Sequence, residues 1–420
     1  MRGTATVPVR PRIRPDSRAF SALLGLLAAL PTFGIDMILP SLSETAAALH
    51  VPAAAMGAAM AVYLLGLGAA LPVYGPVSDR VGRRPAIVCG CLLLIGGSIG
   101  CATARTLPHF LLFRAIQGIG AAGPGMAVFA MVRDLFADEV ARARMSFVVL
   151  TVNVVPMVAP TLGAGLMDLG GWRLIHAAPL VAALTVLAAI PHFAETLPRA
   201  AGPVPVGILR PYRTILGCRA FLGHALCNAA AAGAVFAYIT GSPLVFLDAL
   251  GFSPSAYGLI FGASSLSVMA GAAVNGRLAA RGICPHRVIG VGLAGATLLA
   301  AMLLLHALAC PPAASPVIAA MAGTSFAFGL VSPNALHGAT EASPGAAGTA
   351  GAVAVCLQMV GAAIASDLVA RFFDGRSALS MATVMLGGCL AATAALAGLA
   401  RPAVLVPLPP RSHTENPHDL

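Results

Sequence analysis

Lysine is absent from this chain, and all 25 basic residues are arginine. That absence alone removes one function class. A G-x-x-x-x-G-K-[ST] phosphate cradle needs a lysine, so ATP-driven pumping by this chain is excluded in its usual form. Charge of either sign is also scarce. Charged residues make up 10% of the sequence, against about 25% in a soluble domain. There is too little polar surface to cover a water-facing globule. The nine cysteines (89, 91, 101, 218, 227, 284, 310, 356 and 389) are scattered, mostly in apolar runs, and no C-x-x-C pair occurs. Neither a metal framework nor a disulfide scaffold is expected from that pattern, and small apolar filler is the reading. No H-E-x-x-H run or paired His/Cys metal site is present, which disfavours a membrane enzyme. The net charge of +10 invites nucleic acid as a partner, but the arginines sit in short links between apolar runs rather than on one face.

What the chain does have is apolar length. It has 420 residues, 58% of them hydrophobic, with a mean hydropathy of +0.89. The 46 glycines and 32 prolines suit packed membrane helices. A transmembrane β-barrel would alternate apolar and polar residues, and these runs are continuous. A span needs about 20 mainly apolar residues. Twelve fit, near 19–40, 53–74, 86–104, 108–131, 144–167, 174–193, 219–247, 255–278, 287–306, 315–336, 345–370 and 378–400. The longest link, about 194–218, contains P-R-A-A-G-P-V-P-V-G and divides them six and six. The expected fold class is therefore an all-α integral membrane protein of two six-helix bundles, 19–193 and 219–400. An arginine-rich tail at 1–18, a linker at 194–218 and a Pro-rich, polar and disordered tail at 401–420 complete it.

Arginine placement orients the spans. With the N-terminus in the cytoplasm, four arginines fall outside: Arg105, Arg173, Arg371 and Arg376. Arg114 lies within span 4, and the other twenty fall inside. Both termini are thus expected in the cytoplasm. The run at 19–40 is long for the core of a signal peptide and carries Asp36, so it is expected to remain as a span. An offset of 201 residues relates the two halves faintly. It puts Gly75 on Gly276 and Arg80 on Arg281, while Asp79 meets Ala280 and Asp36 meets Ala237. Charged chemistry is concentrated in the first half.

The link at 75–85 reads G-P-V-S-D-R-V-G-R-R-P. From Gly75 through Asp79, Arg80, Gly82, Arg83 and Arg84, it resembles the signature between helices 2 and 3 of the major facilitator superfamily. In span 4, L-L-F-R-A-I-Q-G-I-G at 111–120, with Arg114 and Gln117, resembles the signature of the drug:proton antiporter branch. In span 5, P-M-V-A-P-T-L-G-A-G at 156–165, through Pro156, Pro160, Gly163 and Gly165, resembles the antiporter signature, with Ala159 where many members carry Gly. I-D-M-I-L-P at 35–40 and G-W-R at 171–173 are similar to the Bcr/CflA-type efflux subgroup, though Ile38 stands where those members often have Tyr. The resemblance covers roughly residues 19–400, more weakly in the second half. It implies a carrier, not an enzyme, that exports a small, largely apolar compound in exchange for protons, with no cofactor beyond the proton gradient and with a monomer expected. It also implies that Asp79 contacts the start of helix 11 and an arginine ending helix 4, here Ser343–Gly345 and Arg133. Such a latch would bridge the halves when the cytoplasmic side is closed. Gly75 and Gly82 would supply the freedom of the turn. Simple positive-inside anchoring is the other reading, and for Arg83 and Arg84 it suffices.

Two ionisable residues lie at membrane depth, where a charge costs about 2.5–3.5 kcal/mol on insertion scales and marks function by default. They are Asp36, near the outer end of span 1, and Arg114. Both fall in the outer half, where they can approach. A nearby arginine favours an ionised carboxyl and burial favours a neutral one, so small rearrangements would move a proton on or off Asp36. The alternative makes Asp36 a cap on a helix break before Pro40. Candidate cavity residues are Phe33, Tyr63, Gln117, Asn153 and Met157 in the first half, and His224, Asn228, Phe236, Tyr238 and Gln358 in the second. Asn153/Met157 and His224/Asn228 share helix faces at i, i+4. Ordinary helix–helix hydrogen bonding would use the same residues. A wide, weakly polar cavity suits amphipathic solutes better than sugars. Export of an endogenous metabolite, or a sensor without transport, are the other functions this sequence admits.

Overall fold

Long runs of Ala, Leu, Val and Gly have one way to satisfy their backbone in lipid, and that is to become helices. The computed structural model describes residues 13–197, 209–343 and 346–400, and no strand occurs among them. The first half holds α1 (Arg18–Asp36), α2 (Leu42–Ala48), α3 (Met56–Val81), α4 (Arg83–Thr103), α5 (Leu107–Leu135), α6 (Asp138–Leu174) and α7 (Ala177–Ala189). A short helix α8 (Leu209–Leu216) follows. Then come α9 (Arg219–Pro243), α10 (Pro254–Ala280), α11 (Pro285–Ala309), α12 (Ala314–Glu341), α13 (Ala347–Arg371) and α14 (Leu379–Leu399). Ser17 caps α1 by accepting from the Phe20 amide at 3.1 Å, and Ser253 caps α10 by accepting from Ala256 at 3.2 Å, the usual serine role at a helix start.

Among the described residues, eleven helical segments are long and apolar enough to cross a membrane, and Ala177–His192 is a shorter apolar one. The expected spans differ from them in specific ways. The second span is expected at 53–74, but α3 continues to Val81. Gly75 is therefore helical, and the turn is made by Gly82 alone, at φ 106°, where a side chain would be strained. The fifth span extends to 138–174 and kinks at Gly170 and Gly171, the latter at φ 70°. The first span breaks after Asp36 into a 3-10 turn at Leu39–Ser41 and then α2. Part of the expected linker is helical, as α8. The remainder of it at 198–208, and the tails at 1–12 and 401–420, lie outside the described residues.

Within the first half α1 packs on α5, α6 and α7, and α5 on α3 and α4; within the second, α9 packs on α12, α13 and α14, and α12 on α10 and α11. The largest contacts between the halves are those of α3 with α13 and α6 with α10, and the turn at Leu39–Ser41 adds smaller ones with α9 and α10. The links after α3, α5, α10 and α12 lie at one end of the molecule, called here the basic end. Away from it the halves are tight. Gly57 lies against Ala370, Gly68 against Met359, Gly258 against Thr161 and Gly262 against Met157, and the Ser43 hydroxyl donates to Asp248 Oδ1 at 2.7 Å. At the basic end both pairs splay. A cavity of about 340 Å³ separates α3 and α5 from the start of α13. A gap of about 550 Å³ separates α6 from α10.

Pro156 lies inside α6 at mid-helix, and Pro160 and Gly163 are buried where the helix meets the break after α1. A methyl on Gly163 would collide with the Met37 carbonyl, whereas nothing lies within 4 Å of one on Gly165. Gly163→Ala is expected to lose at least about 1–3 kcal/mol through overpacking. Gly165→Ala is expected to be neutral or to gain up to about 1 kcal/mol from helix propensity. Thermal unfolding of the two purified variants in detergent measures the difference.

Candidate functional site

The deepest charge is Arg114 on α5, 1% exposed. Its Nη1 donates to the Gly34 carbonyl at 2.9 Å and to Gln117 Oε1 at 2.8 Å, and its Nε donates to the Ala59 carbonyl at 3.3 Å. The guanidinium stands 4.4 Å from the centre of the Tyr63 ring. Tyr63 donates its hydroxyl to the Pro31 carbonyl at 2.8 Å. Gln117 donates to Ser98 Oγ at 2.9 Å, and Ser98 to the Leu94 carbonyl at 2.7 Å. One network thus joins α1, α3, α4 and α5. Nη2 of Arg114 is buried without a partner. Gln117 and Tyr63, expected in the cavity, are fully buried inside this network instead.

Asp36 ends α1 and is 3% exposed. Sequence reasoning brought it towards Arg114, and the two are neighbours through Gly34, but no ion pair forms between them. Among the described residues no donor reaches the Asp36 carboxylate, so the expected alternative, a cap on the helix break, is not made either. The 3-10 turn just after it, Leu39–Ser41, packs on α9 and α10, so the carboxyl lies beside the seam of the two halves. Phe33, one turn earlier on α1, is half-buried against Met37, Ala159 and Ile175.

In the second half, hydroxyls along α9 bond it to α10, α12 and α13. Tyr238 and Ser325 share a hydrogen bond of 2.6 Å, Ser242 and Tyr257 one of 3.0 Å, and Thr240 donates to Ser366 at 2.8 Å. Phe236 is buried beside them. Asn228 and Gln358 are brought together, Asn228 Nδ2 donating to Gln358 Oε1 at 3.0 Å, while Asn228 Oδ1 is buried and unpartnered. Asn153 lines the α6/α10 gap and bonds its own helix, at the Val149 carbonyl, 2.8 Å away. Met157 is part of the tight α6/α10 contact at Gly262. His224 stands apart, its ring against Gly338 of α12.

At the basic end Arg83 is the hub, although the sequence allowed it simple anchoring. It is 3% exposed. It bonds Asp79 at 2.5 Å, Asp134 at 2.8 Å and Ser78 Oγ at 2.9 Å. Its amide and that of Arg84 donate to the Glu195 carboxylate at 2.8 and 3.0 Å, which places a negative charge on the first turn of α4, where the helix dipole favours it. Arg84 lies over the Phe193 ring. The expected pairing of Asp79 with Arg133 is not formed. Arg133 and Asp79 both line the 340 Å³ cavity, and Ala346–Thr349 of the α13 start face them across it. Pro344 and Gly345 of the expected contact lie outside the described residues. Arg80 is exposed.

Several residues here were not foreseen. Asp134 adjoins the Arg133 that sequence reasoning chose. Glu195 sits in A-E-T-L-P at the linker's edge, and a lone acid after a span was the available signal. Tyr257, Ser242, Thr240, Ser325 and Ser366 carry no signal, because a hydroxyl in an apolar run marks no face. The stretch G-G-S-I-G at 96–100 spells the G-x-S-x-G pattern of a hydrolase elbow. Ser98 there is mid-helix, buried and bonded to Leu94 and Gln117, so the strand-to-helix turn which exposes a nucleophile is missing. Among the described residues no group of three or more His, Cys, Asp or Glu is placed to hold a metal.

The family profile described as Major Facilitator Superfamily matches residues 24–366. An uncharacterized MFS-type transporter, YdgK of Bacillus subtilis, is 30% identical over 390 residues, covering 91% of this chain and 96% of that one. A chloramphenicol resistance protein of Pseudomonas aeruginosa is 30% identical over 379 residues, 87% and 88% of the two chains. A bicyclomycin resistance protein homolog of Haemophilus influenzae is 26% identical over 379 residues, 88% and 93%. Among solved structures, a partially occluded inward-open form of the xylose transporter XylE from E. coli superposes with a TM-score of 0.67 at 17% identity, over 91% of this chain and 98% of that one.

The Arg83 hub makes a prediction that separates adjacent arginines. Arg83→Gln leaves Asp134 with its buried partner gone and is expected to lose about 3 kcal/mol, the low end for breaking a buried pair because Asp79 is half exposed. Arg80→Gln is expected to stay within about 0.5 kcal/mol, as surface changes do. Unfolding in detergent, read at equal protein concentration, reports both.

Proposed function

The chain belongs to the major facilitator superfamily, and on that premise we propose that it exports small, moderately apolar compounds in exchange for protons by alternating access. It is a multi-pass membrane transporter and not an enzyme. Its type is that of the drug:proton antiporters, Bcr/CflA-like, and the substrates we assign are antibiotics of the chloramphenicol or bicyclomycin kind, after the names its relatives carry. The twelve crossings are the eleven long helical segments and Ala177–His192. They form two six-helix bundles, 19–193 and 219–400, joined by the linker 194–218. The internal packing of each half supports this division. Both termini lie in the cytoplasm of a bacterial cell, so the arginine-rich basic end faces inward across the inner membrane. The conformer is then inward-facing, and the protein works as a monomer without a cofactor.

The single observation that carries proton coupling is the Asp36 carboxyl: buried, unpaired, and beside the seam of the two halves. Rocking of the halves changes what faces it, and therefore whether it holds its proton. Arg114 acts on it indirectly by fixing Gly34. Phe33, Phe236, Tyr238, Asn228 and Gln358 are the residues we assign to the solute, with Asn153, Met157 and His224 at its margins. Asp79 and Arg133, held beside the bonded group of Arg83, Arg84 and Asp134, are the latch that engages the start of α13 when the inner side closes. Energy is sufficient. One charge crossing about 100 mV gains roughly 2.3 kcal/mol. One pH unit adds about 1.4 kcal/mol. A tenfold uphill step for a neutral solute needs about 1.4 kcal/mol.

Proteoliposomes with an imposed pH gradient and chloramphenicol as probe test the reading. The wild type accumulates drug against its gradient, and a protonophore abolishes this. Asp36→Asn is expected to lose uphill transport by tenfold or more while downhill exchange continues. Undiminished gradient-driven export by that variant removes Asp36 from the role.

A further inference from the structure

Pro72 and Pro76 stand four residues apart inside α3. In an α-helix the carbonyl of residue 72 accepts from the amide of residue 76, and a proline has no N–H to give. The Pro72 carbonyl is therefore deprived of its regular donor within a membrane-spanning helix, where an unmet backbone acceptor is costly. A donor reaches it from far along the chain. The hydroxyl of Tyr212 on α8 donates to Pro72 O at 2.8 Å.

The position of α8 gives that bond its meaning. Ile215 of α8 is buried with Phe221, Ala225, Ala339, Ala350 and Val353, and Tyr212 packs at the edge of the same cluster. The linker helix thus rides on the second half, and its phenol crosses to the first. Tyr212 also lines the 340 Å³ cavity between α3, α5 and the start of α13, opposite Ala346–Thr349. That cavity is the space which closure of the basic end has to eliminate. Burial pushes the Tyr212 phenol above its usual range, so its hydroxyl stays a donor at physiological pH.

We propose that Tyr212 is a strut of the transport cycle: anchored on the second half, it spans the basic-end gap, holds the carbonyl orphaned by Pro76, and stabilises the basic-end-open conformer over the opposite one. Closure must break the Tyr212–Pro72 bond and withdraw the ring. Tyr212 is a positioning residue that acts through the spacing of α3 and α13, not through the solute. The inference rests on the alternating-access reading but not on the identity of the exported compound.

The test is a double-mutant cycle on the full chain in lipid nanodiscs, read by hydrogen–deuterium exchange at the basic-end segments 74–81 and 347–354 and the opposite-end segments 56–61 and 366–371. Tyr212→Phe keeps the packed ring and loses the bond. It is expected to shift the conformer ratio away from basic-end-open by about fivefold, the worth of one hydrogen bond, with exchange slower at the basic end and faster at the other. Pro76→Ala returns an amide to the Pro72 carbonyl, so adding Tyr212→Phe to it is expected to change the ratio less than twofold. Tyr74→Phe is the control, since that phenol borders the same cavity and contacts Cys89 Sγ at 4.0 Å. An unchanged pattern in Tyr212→Phe, or an equal shift with and without Pro76, overturns the strut while leaving alternating access standing. A wild-type pattern that never departs from the basic-end-open one, at any imposed pH gradient, overturns both.

Discussion

The guanidinium of Arg114 organises the first half of this protein. A full charge at that depth needs compensation, and among the described residues no carboxylate lies within ion-pair distance of it. Its donors instead take the carbonyls of Gly34 and Ala59 and the amide of Gln117, and its face takes the ring of Tyr63. Three helices meet at that one side chain. Sliding any of them leaves a buried donor unpaired, which costs more than an ordinary hydrogen bond returns. Asp36 follows Gly34 by two residues, so its position is set by an arginine it does not touch. A direct pair would hold each group in its charged form. Kept apart, the arginine fixes structure and the carboxyl is left to respond to whatever faces it.

The two ends of the molecule are built from different contacts for a related reason. Away from the basic end, backbone lies on side chain or backbone through Gly57, Gly258, Gly262 and Gly163, a mode of approach that packs membrane helices without a hydrophobic driving force. At the basic end the same helix pairs separate, and the residues facing the gaps are charged or hydroxylated: Asp79, Arg133 and Tyr212 in one, Arg142, Ser146 and Asn153 in the other. Close-packed small residues have one good arrangement. Charges that can pair across a turn, as Asp79 does with Arg83 between α3 and α4, or across a gap have two. A carrier needs at least one end of the second kind, and the arginine-rich end supplies it.

Much of this was legible in the sequence. The apolar runs placed α11 and α14 within three residues at either end, because nothing competes with lipid for such segments. Helices that project beyond the apolar zone were underestimated: α3 and α6 continue through G-P-V-S-D-R and D-E-V-A-R-A, where composition turns polar but the backbone bonds do not stop. The linker helix α8 was hidden by the prolines and glycines before it. For the site, the rarity of charge singled out Asp36, Arg114 and the 75–85 stretch, since an ion at such depth, or so many in so short a link, is too costly to be filler. Partner choice was not legible. Whether Arg80 or Arg83 turns inward, and whether Arg133 or Asp134 meets it, depends on a helix rotation of about 100° per residue that apolar patterning does not fix on a helix surrounded by neighbours. Nor could hydroxyls such as Tyr257 and Ser325 be told from the dozens of small residues around them.

The break after α1 bears on why one acid suffices. α1 packs on α5, α6 and α7 of its own half, while the turn at Leu39–Ser41 packs on α9 and α10 of the other. Asp36 therefore stands where a helix of one half meets the second half. A charge buried inside one bundle would keep the same surroundings in any arrangement of the two. Beside the seam the surroundings depend on how the halves sit, and the protonation of an unpaired carboxyl depends on its surroundings. A further buried charge across the seam would add desolvation without adding another place where the halves meet.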